Sequence, residues 1–151
     1  MTPLHEVDIP QPDLQRYRDV INASDPLPFG GADEIVKTLT GEGLWLIMLK
    51  KDGRPYCHDG PAIVRLRPDG SVLALLWARG VLHNPDGPTR LVFHPTGAIA
   101  QVSYTNERGL FHRTDGPAHL EFSPDGTQVR SDTYHDGHLI SSTTTRTPAS
   151  A

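Results

Sequence analysis

The 151-residue chain carries eight histidines, two of which sit in a recurring arrangement with an acid. His112 lies three residues before Asp115, and His83 lies three residues before Asp86. An imidazole beside a carboxylate can act as a general acid or base, or the two can hydrogen-bond across a turn and hold it. Because an active site needs one constellation and a turn motif is needed in every unit, the repetition favours the structural role.

An enzyme is the alternative interpretation, with its site where one unit departs from the common pattern. The acid or base groups would then be His112, Asp115, Glu107 and His58, which must converge in a concave pocket. Cys57 precedes His58, whose ring could lower the thiol pKa and make a nucleophile. Adjacent strand residues point to opposite faces, so a buried, inert thiol is favoured.

Metal and cofactor sites have little support from the spacing of possible ligands. The pairs His58-Asp59 and His135-Asp136 offer donors, but zinc needs three or four that converge. Neither a paired-Cys motif nor a His-Glu motif is present, and no glycine-rich loop is followed by Lys and Ser or Thr. We therefore expect no metal and no cofactor.

Composition excludes several broad classes of function. The net charge of −4 and the pI near 6.0 argue against electrostatic capture of nucleic acid or of an anionic membrane. A single cysteine rules out an intramolecular disulfide, and residues 1–12 carry acids and prolines where a secretory signal has a basic start and an apolar stretch. These features predict a reduced, cytoplasmic protein.

The elements that would position these residues follow from the glycines. The last ten of the 14 glycines recur at intervals of 27 to 29 residues, in three series: Gly53, Gly80, Gly109 and Gly137; Gly60, Gly87 and Gly116; Gly70, Gly97 and Gly126. Within one unit the steps are about 7 to 12 residues, the spacing of turns between short strands. Asp-Gly-Pro corners at 59–61, 86–88 and 115–117 alternate with Pro-x-Gly turns at 68–70, 95–97 and 124–126.

Between the turns, apolar residues alternate as they do in a sheet with one buried face. The other face is apolar at first and polar later: Ile63, Val72, Ala74, Leu76, Val92 and Ile99, then His119, Glu121 and Ser123. We expect something to cover the early part of this second face. One extra residue between Gly126 and Tyr134 suggests a bulge in the third unit.

The candidate cover is a helical cap formed by residues 1–43. An amphipathic helix is predicted from residue 12 to residue 21, and a shorter one over 32–39. Residues 44–140 would form the sheet. Residues 141–151, which are rich in Ser and Thr and have no apolar period, are predicted to be disordered.

Aromatic and arginine residues recur beside the turns and are the candidate binding residues. The aromatic residues that begin successive units could form a recognition stripe, although packing in the core is favoured. Arginines interleaved with apolar positions could gather on one face and bind an acidic partner or a phosphate group. The candidate binding residues are Arg65, Arg67, Arg90, Trp77, Tyr104 and Tyr134.

The third unit, residues 104–118, resembles the MORN-like repeats of bacterial and viral proteins. Those units have an aromatic residue, Asn-Gly, Leu, His-Arg and Asp-Gly-Pro-Ala in this order; here the matching residues include Tyr104, Gly109, Leu110 and His112. The second unit matches in part, and in the first Tyr56 stands where the His would be. The resemblance covers about residues 45–140. It implies β-hairpin arrays that serve as binding surfaces, with related bacterial repeat proteins described as antitoxin-like.

Taken together, the sequence predicts a mainly β fold, an antiparallel meander of about three hairpin repeats and nine or ten strands with a small N-terminal helical cap. The leading functional hypothesis is a non-catalytic interaction module that binds another protein, as an antitoxin, immunity or anti-defence inhibitor does. Because an open meander leaves edge strands, self-association is a further possibility.

Overall fold

The computed structural model describes residues 14–85 and 87–145. One helix, α1 (Gln15–Asn22), precedes ten strands: β1 (Glu34–Leu39), β2 (Trp45–Lys51), β3 (Arg54–Pro55), β4 (Ile63–Leu66), β5 (Val72–Leu76), β6 (Arg90–Phe93), β7 (Ile99–Ser103), β8 (His119–Phe122), β9 (Gln128–His135) and β10 (His138–Thr144). All pair antiparallel in one sheet, in chain order except that β3 pairs only with β2. The predicted mainly β meander with a small N-terminal helical element is confirmed.

The three central hairpins, β4–β5, β6–β7 and β8–β9, share one irregularity. In each, the register shifts by one residue close to the turn, and the extra residues are Leu73, Ala100 and Val129. A bulge of this kind increases the local twist and changes which face the following side chain occupies. The bulge predicted for the third unit is present at Val129, and the other two hairpins have the same irregularity, which the sequence did not indicate.

The bulge moves two apolar side chains to the opposite face from the one predicted. Val72 pairs with Leu66, and Ile99 pairs with Phe93, so both lie with the core residues. Strict alternation along β5 and β7 would place these two side chains on the second face. Because each of them precedes the extra residue of its strand, it lies on the core face instead, whereas the residues after the bulge lie on the faces predicted.

The corners at the other end of the strands are also alike. At each Asp-Gly-Pro corner, the residue after the proline donates its backbone N–H to a carbonyl of the neighbouring return strand. Ala62 donates to Leu76 at 2.8 Å, Thr89 to Ser103 at 2.8 Å and Ala118 to Asp132 at 2.9 Å. Leu76, Ser103 and Asp132 therefore occupy equivalent positions in the three units.

Two predicted elements are corrected by the structure. The predicted helix over 32–39 is wrong: residues Glu34–Leu39 form β1 and pair with β2 along their whole length. The β-branched pair Ile35-Val36 suits a pleated strand, and an available edge of β2 overrides the weak helical pattern. The first helix begins at Gln15, and residues 1–13 lie outside the described part of the chain.

The predicted disorder of residues 141–151 is wrong for the first residues of that segment. β10 extends to Thr144 and pairs with β9, and Thr145 donates its backbone N–H to Val129 at 2.8 Å. All of β10 is exposed, so its backbone pairing does not require the apolar period that the sequence lacks. Residues 146–151 lie outside the described part.

The core lies on one face of the sheet, which we call the core face. A row of paired residues crosses the strands on this face: Ile47, Val64, Leu75, Leu91, Val102 and Leu120, none more than 5 % exposed. Tyr17 and Val20 of α1 join this cluster. The helix therefore covers the core face, and the expectation that it covers the second face was wrong.

Two polar contacts fix α1 in this place. The buried Tyr17 hydroxyl donates to the carbonyl of Pro61 at 2.6 Å. On β1, the Lys37 ammonium donates to the carbonyls of Val20 at 2.9 Å, Ile21 at 3.1 Å and Ala23. A cation at the carboxyl end of a helix satisfies carbonyls without an intrahelical partner and interacts favourably with the helix dipole.

We predict that Lys37→Met lowers the free energy of unfolding by about 1–2 kcal/mol, because it removes a charged donor that hydration replaces only in part. Urea denaturation measures this change. Lys50→Met is the matched control, since Lys50 lies on the other face of the adjacent strand and its side chain makes no hydrogen bond or ion pair with the described residues. Equal denaturation midpoints for the two variants would contradict the anchoring role.

Candidate functional site

The face opposite the core carries two continuous rows of side chains across nine strands, and we call it the open face. One row runs through Val36, Met48, Ile63, Leu76, Arg90, Ser103, His119, Asp132 and Ser142. The adjacent row runs through Thr38, Leu46, Arg65, Ala74, Val92, Gln101, Glu121, Arg130 and Thr144. Both rows change from apolar to polar near β6.

A cavity of about 460 Å³ lies on the open face where the two halves meet. Its floor is largely apolar, and a wall is formed by residues of the loops at the ends of the strands. The lining residues that matter below are Met48, Ile63, Leu76, Arg65, Arg90, Ser103 and Phe111. An apolar concavity with a few polar groups is the usual form of a ligand site.

The polar half of the open face is a connected hydrogen-bond network. Nε2 of His119 lies 2.9 Å from Oε2 of Glu121, and Nδ1 of the same ring lies 2.9 Å from Oγ of Ser103. Since the carboxylate accepts from Nε2–H, Nδ1 is the acceptor and Ser103 donates to it. Ser103 is only 2 % exposed, yet it lines the cavity.

The buried carboxylate of Asp132 completes this network. It is 2 % exposed and accepts hydrogen bonds from Nε of Arg130 at 2.9 Å and from Oγ of Ser142. Arg130 also lies 3.9 Å from Oε2 of Glu121. A buried charge is tolerated when it is paired and hydrogen-bonded, so this half of the face is satisfied internally.

The arginines at the boundary between the two halves behave differently from one another. Arg65 and Arg90 are exposed at the cavity and form no ion pair within residues 14–85 and 87–145. Arg67, by contrast, donates to the carbonyl of Val72 at 2.7 Å and to that of Phe93, which ties one unit to the next. Of the three predicted binding arginines, the structure leaves Arg65 and Arg90 available to a ligand.

The structure separates the three candidate binding aromatics. Trp77 and Tyr104 are half-buried and pack against the core. Arg113 lies 3.9 Å above the Tyr104 ring, and burial raises the pKa of this tyrosine. Tyr134 stands two residues after Asp132, whereas Trp77 and Tyr104 directly follow the equivalent residues of their units. It therefore occupies the open face, where its ring lies 5.0 Å from that of Phe111. The three do not form one stripe.

The four predicted acid–base residues are not brought together. His112 and Asp115 line a second cavity of about 360 Å³, but neither Glu107 nor His58 lines it. Asp115 pairs with Arg113 at 3.2 Å. The expected hydrogen bond from His112 to Asp115 is not found, and Nδ1 of His112 accepts the backbone N–H of Asp136 at 3.0 Å instead.

His112 is brought together with two residues of the β9–β10 turn. Donor atoms of His112, His135 and Asp136 all lie within 4.8 Å of one another. Spacing gave no sign of this cluster, since 23 residues separate His112 from His135. Such a set could hold a metal ion.

Cys57 is buried behind α1 and belongs to the contacts that fix the helix. Its side chain is 2 % exposed, its Sγ lies 3.3 Å from Oδ1 of Asp59, and burial raises the thiol pKa. The geometry agrees with an inert thiol, because a nucleophilic cysteine needs a lowered pKa and access to solvent.

Gly30 packs directly against this sulfur. A Cβ added at Gly30 would lie 2.3 Å from Sγ of Cys57, and the backbone φ of Gly30 is +65°.

Asp59 forms an ion pair with Arg16 of α1 at 2.7 Å, and the guanidinium stacks over Phe29 at 4.3 Å. The hydrogen bonds from Arg16 lower the pKa of Asp59 to about 2. Burial raises the pKa of the Tyr17 phenol well above its usual range. These groups hold the helix and do not face the cavity.

Comparison of the chain with protein-family models, with curated proteins and with solved structures finds no match. Within the described residues, no helix combines the length and the apolar character needed to span a bilayer.

Sequence reasoning identified the polar pair His119 and Glu121 on the second face but missed their partner Ser103. The signal was present in the corner spacing, because Ser103 follows Gly97 by the same six residues that separate Leu76 from Gly70. Aligning the units by their Pro-x-Gly turns places a serine where the first unit has a leucine. A polar replacement at a position that is buried in the sheet indicates a partner.

We predict that Asp59→Asn reduces the loss of stability on acidification. The pKa of Asp59 is about 2 in the folded chain, whereas the ordinary value for an aspartate is 3.8. Its contribution to the free energy of unfolding is therefore complete above about pH 4 and is lost as the pH falls to about 2. Thermal melts across this window test it. Part of the loss persists, because the pKa values of Asp69 and Asp125 are also lowered. Asp25→Asn serves as the control, and an unchanged pH profile for Asp59→Asn would contradict the prediction.

Proposed function

We propose that the protein is a non-catalytic module that binds another protein through the open face. The observation that carries the proposal is a largely apolar cavity of about 460 Å³ that no described element covers. At its margin lie Arg65 and Arg90, which form no ion pair with any residue that the structure describes. Apolar surface that a fold leaves concave and uncovered is typical of binding sites. The resemblance to MORN-like repeat arrays supports the same class of function.

The distribution of charge indicates what the partner offers. The polar half of the face is satisfied by its own network, so it adds little affinity for a charged ligand. Arg65 and Arg90 have no carboxylate partner in the described part of the chain and can form charge-assisted, bidentate bonds with one from a ligand. The partner therefore presents one or two apolar side chains next to an aspartate or glutamate.

This mode of binding fits an inhibitor that occupies an acidic segment of its target, as an antitoxin-like, immunity or anti-defence protein does. Apolar contacts supply most of the affinity, and the two arginines set the orientation and reject segments without an acid. The proposal places the protein in the cytoplasm, in agreement with its acidity and single cysteine.

Random-peptide display on the full chain tests the proposal. We expect selected peptides to combine apolar residues with an acid, and Arg65→Glu/Arg90→Glu to weaken their binding at least about tenfold, the effect of about 1.4 kcal/mol. Arg54→Glu is the matched control, because Arg54 is exposed on β3 and does not line the cavity. Equal binding by both variants would overturn the proposal.

A photo-crosslinking residue at Leu76 distinguishes the possible occupants of the cavity. A crosslink from the full chain to the selected peptide supports the proposal. A crosslink to residues 1–13 of the same chain, or to a second copy, would show that the chain fills its own cavity and would contradict binding of a partner there.

A second candidate function, ester hydrolysis, is favoured by one observation. Ser103, His119 and Glu121 form a hydrogen-bonded chain at the cavity, as a nucleophile, a base and an orienting acid do in hydrolases. Ser103 Oγ would attack the ester carbonyl carbon while His119 takes its proton and passes it to the departing alkoxide. Water then releases the acyl group. Arg90, the cross-strand partner of Ser103, also lines the cavity and would supply the positive charge that stabilises the oxyanion.

A fluorophosphonate probe decides this second candidate, since an activated serine displaces fluoride and gains the phosphonyl mass. We expect labelling of the wild type at Ser103 and none in Ser103→Ala, with reduced labelling in His119→Gln. Ser71→Ala should label like the wild type. An unlabelled wild-type chain would exclude the hydrolase and leave the binding module unaffected.

A further inference from the structure

The turn between β9 and β10 brings two potential metal ligands against the loop of the third unit. His135 and Asp136 belong to this turn, which is closed by the pair His135 and His138. The backbone N–H of Gly137 donates to the carbonyl of Phe111 at 2.8 Å, which holds the turn beside His112. The imidazole rings of His112 and His135 lie 4.8 Å apart between centroids.

The distances suit a tetrahedral ion. Oδ2 of Asp136 lies 3.4 Å from Nε2 of His135, and Oδ1 lies 3.6 Å from Nδ1 of His112. Zinc ligands at about 2.1 Å in a tetrahedron stand about 3.4 Å apart. Each imidazole nitrogen thus lies at about this distance from a different oxygen of the carboxylate. An ion bound to one of these oxygens requires the donor atoms, which now lie within 4.8 Å of one another, to move closer together.

The carboxylate is already oriented. Asn106 donates its amide to Oδ1 of Asp136 at 3.0 Å, and Arg108 lies 3.9 Å from the same oxygen. Oδ2 is turned towards His135. Outer hydrogen bonds of this kind fix a ligand carboxylate and are a regular part of metal sites.

The protonation state of His112 also suits a ligand. Its Nδ1 accepts the N–H of Asp136, so the neutral ring carries its proton on Nε2 and keeps a lone pair at Nδ1 facing the cluster. In the preceding unit, Nδ1 of His83 faces the carbonyl of Thr105 at 3.1 Å. A carbonyl only accepts, so His83 carries its proton on Nδ1 and cannot ligate through that atom.

We propose that His112, His135 and Asp136 form a binding site for a divalent first-row metal, zinc above all, with the fourth position left to water. Two imidazole nitrogens and one carboxylate oxygen are a regular donor set for zinc with an open position. Binding of the metal at Nδ1 of His112 replaces the hydrogen bond from the backbone N–H of Asp136, so the affinity is moderate. The bound metal connects the β9–β10 turn to the third unit.

Calorimetric titration of the chelator-treated full chain with zinc chloride tests the site. We expect one zinc ion per chain, and at least about a tenfold loss of affinity in His135→Ala and in Asp136→Asn. Even substitution of residues that only hydrogen-bond to metal ligands commonly lowers the affinity for the metal by that much. His83→Ala is the matched control and should bind as the wild type does. Circular dichroism should show that His135→Ala still folds, because the side chain of His135 is largely exposed.

Two further measurements do not depend on heat of binding. Zinc should raise the melting temperature of the wild type and of His83→Ala but not that of His135→Ala, because a ligand stabilises only the folded chain that binds it. Cobalt(II) should give the absorption spectrum of a tetrahedral site in the same two proteins. Absence of saturable zinc binding, or wild-type affinity in His135→Ala, would overturn the proposal.

Discussion

The placement of α1 on the core face decides what the rest of the molecule can do. A sheet of this length exposes two faces, and one short helix can cover only part of one. Lys37 lies on the core face and donates hydrogen bonds to the carbonyls at the C-terminus of the helix. The Tyr17 hydroxyl donates to the carbonyl of Pro61. Once these bonds are made, the apolar residues on the other side of β2, β4 and β5 have no cover among the described residues. The cavity is thus a consequence of where the helix is held.

The shared bulge explains why the open face has continuous rows. A one-residue bulge breaks the strict alternation, so that the side chains before it and after it follow opposite facing patterns. Because the same shift occurs in all three hairpins, Leu76, Ser103 and Asp132 stay in register across the sheet. The side chains in these rows can therefore change from apolar to polar from one strand to the next, while the backbone geometry of the hairpins stays the same. Polar residues collect at the β8–β10 end, where they satisfy one another.

The turn chemistry made most of the fold predictable. Asp-Gly-Pro and Pro-x-Gly triplets fix backbone angles locally, so strand number and order followed from spacing. The sequence did not predict which face Val72 and Ile99 occupy, because no particular residue type marks the position of a bulge. β1 was missed because its pairing with β2 outweighs a local pattern that suits a helix as well. The site was only half predictable: Arg65 and Arg90 stood out as charges among apolar residues, whereas the contact of His112 with Asp136 depends on long-range packing.

The cavity and the histidine cluster share one short segment of chain. Phe111 lines the cavity, contacts Tyr134 at 5.0 Å, and is followed directly by His112. Its carbonyl accepts the N–H of Gly137 from the β9–β10 turn. An ion that orders His112 and Asp136 must restrict Phe111 as well, because consecutive residues cannot move independently. Any effect of the ion on a ligand in the cavity would be matched by an equal effect of that ligand on the ion, since coupling between two sites is reciprocal. The point at which the third unit departs from the other two is thus the point at which the two proposed sites meet.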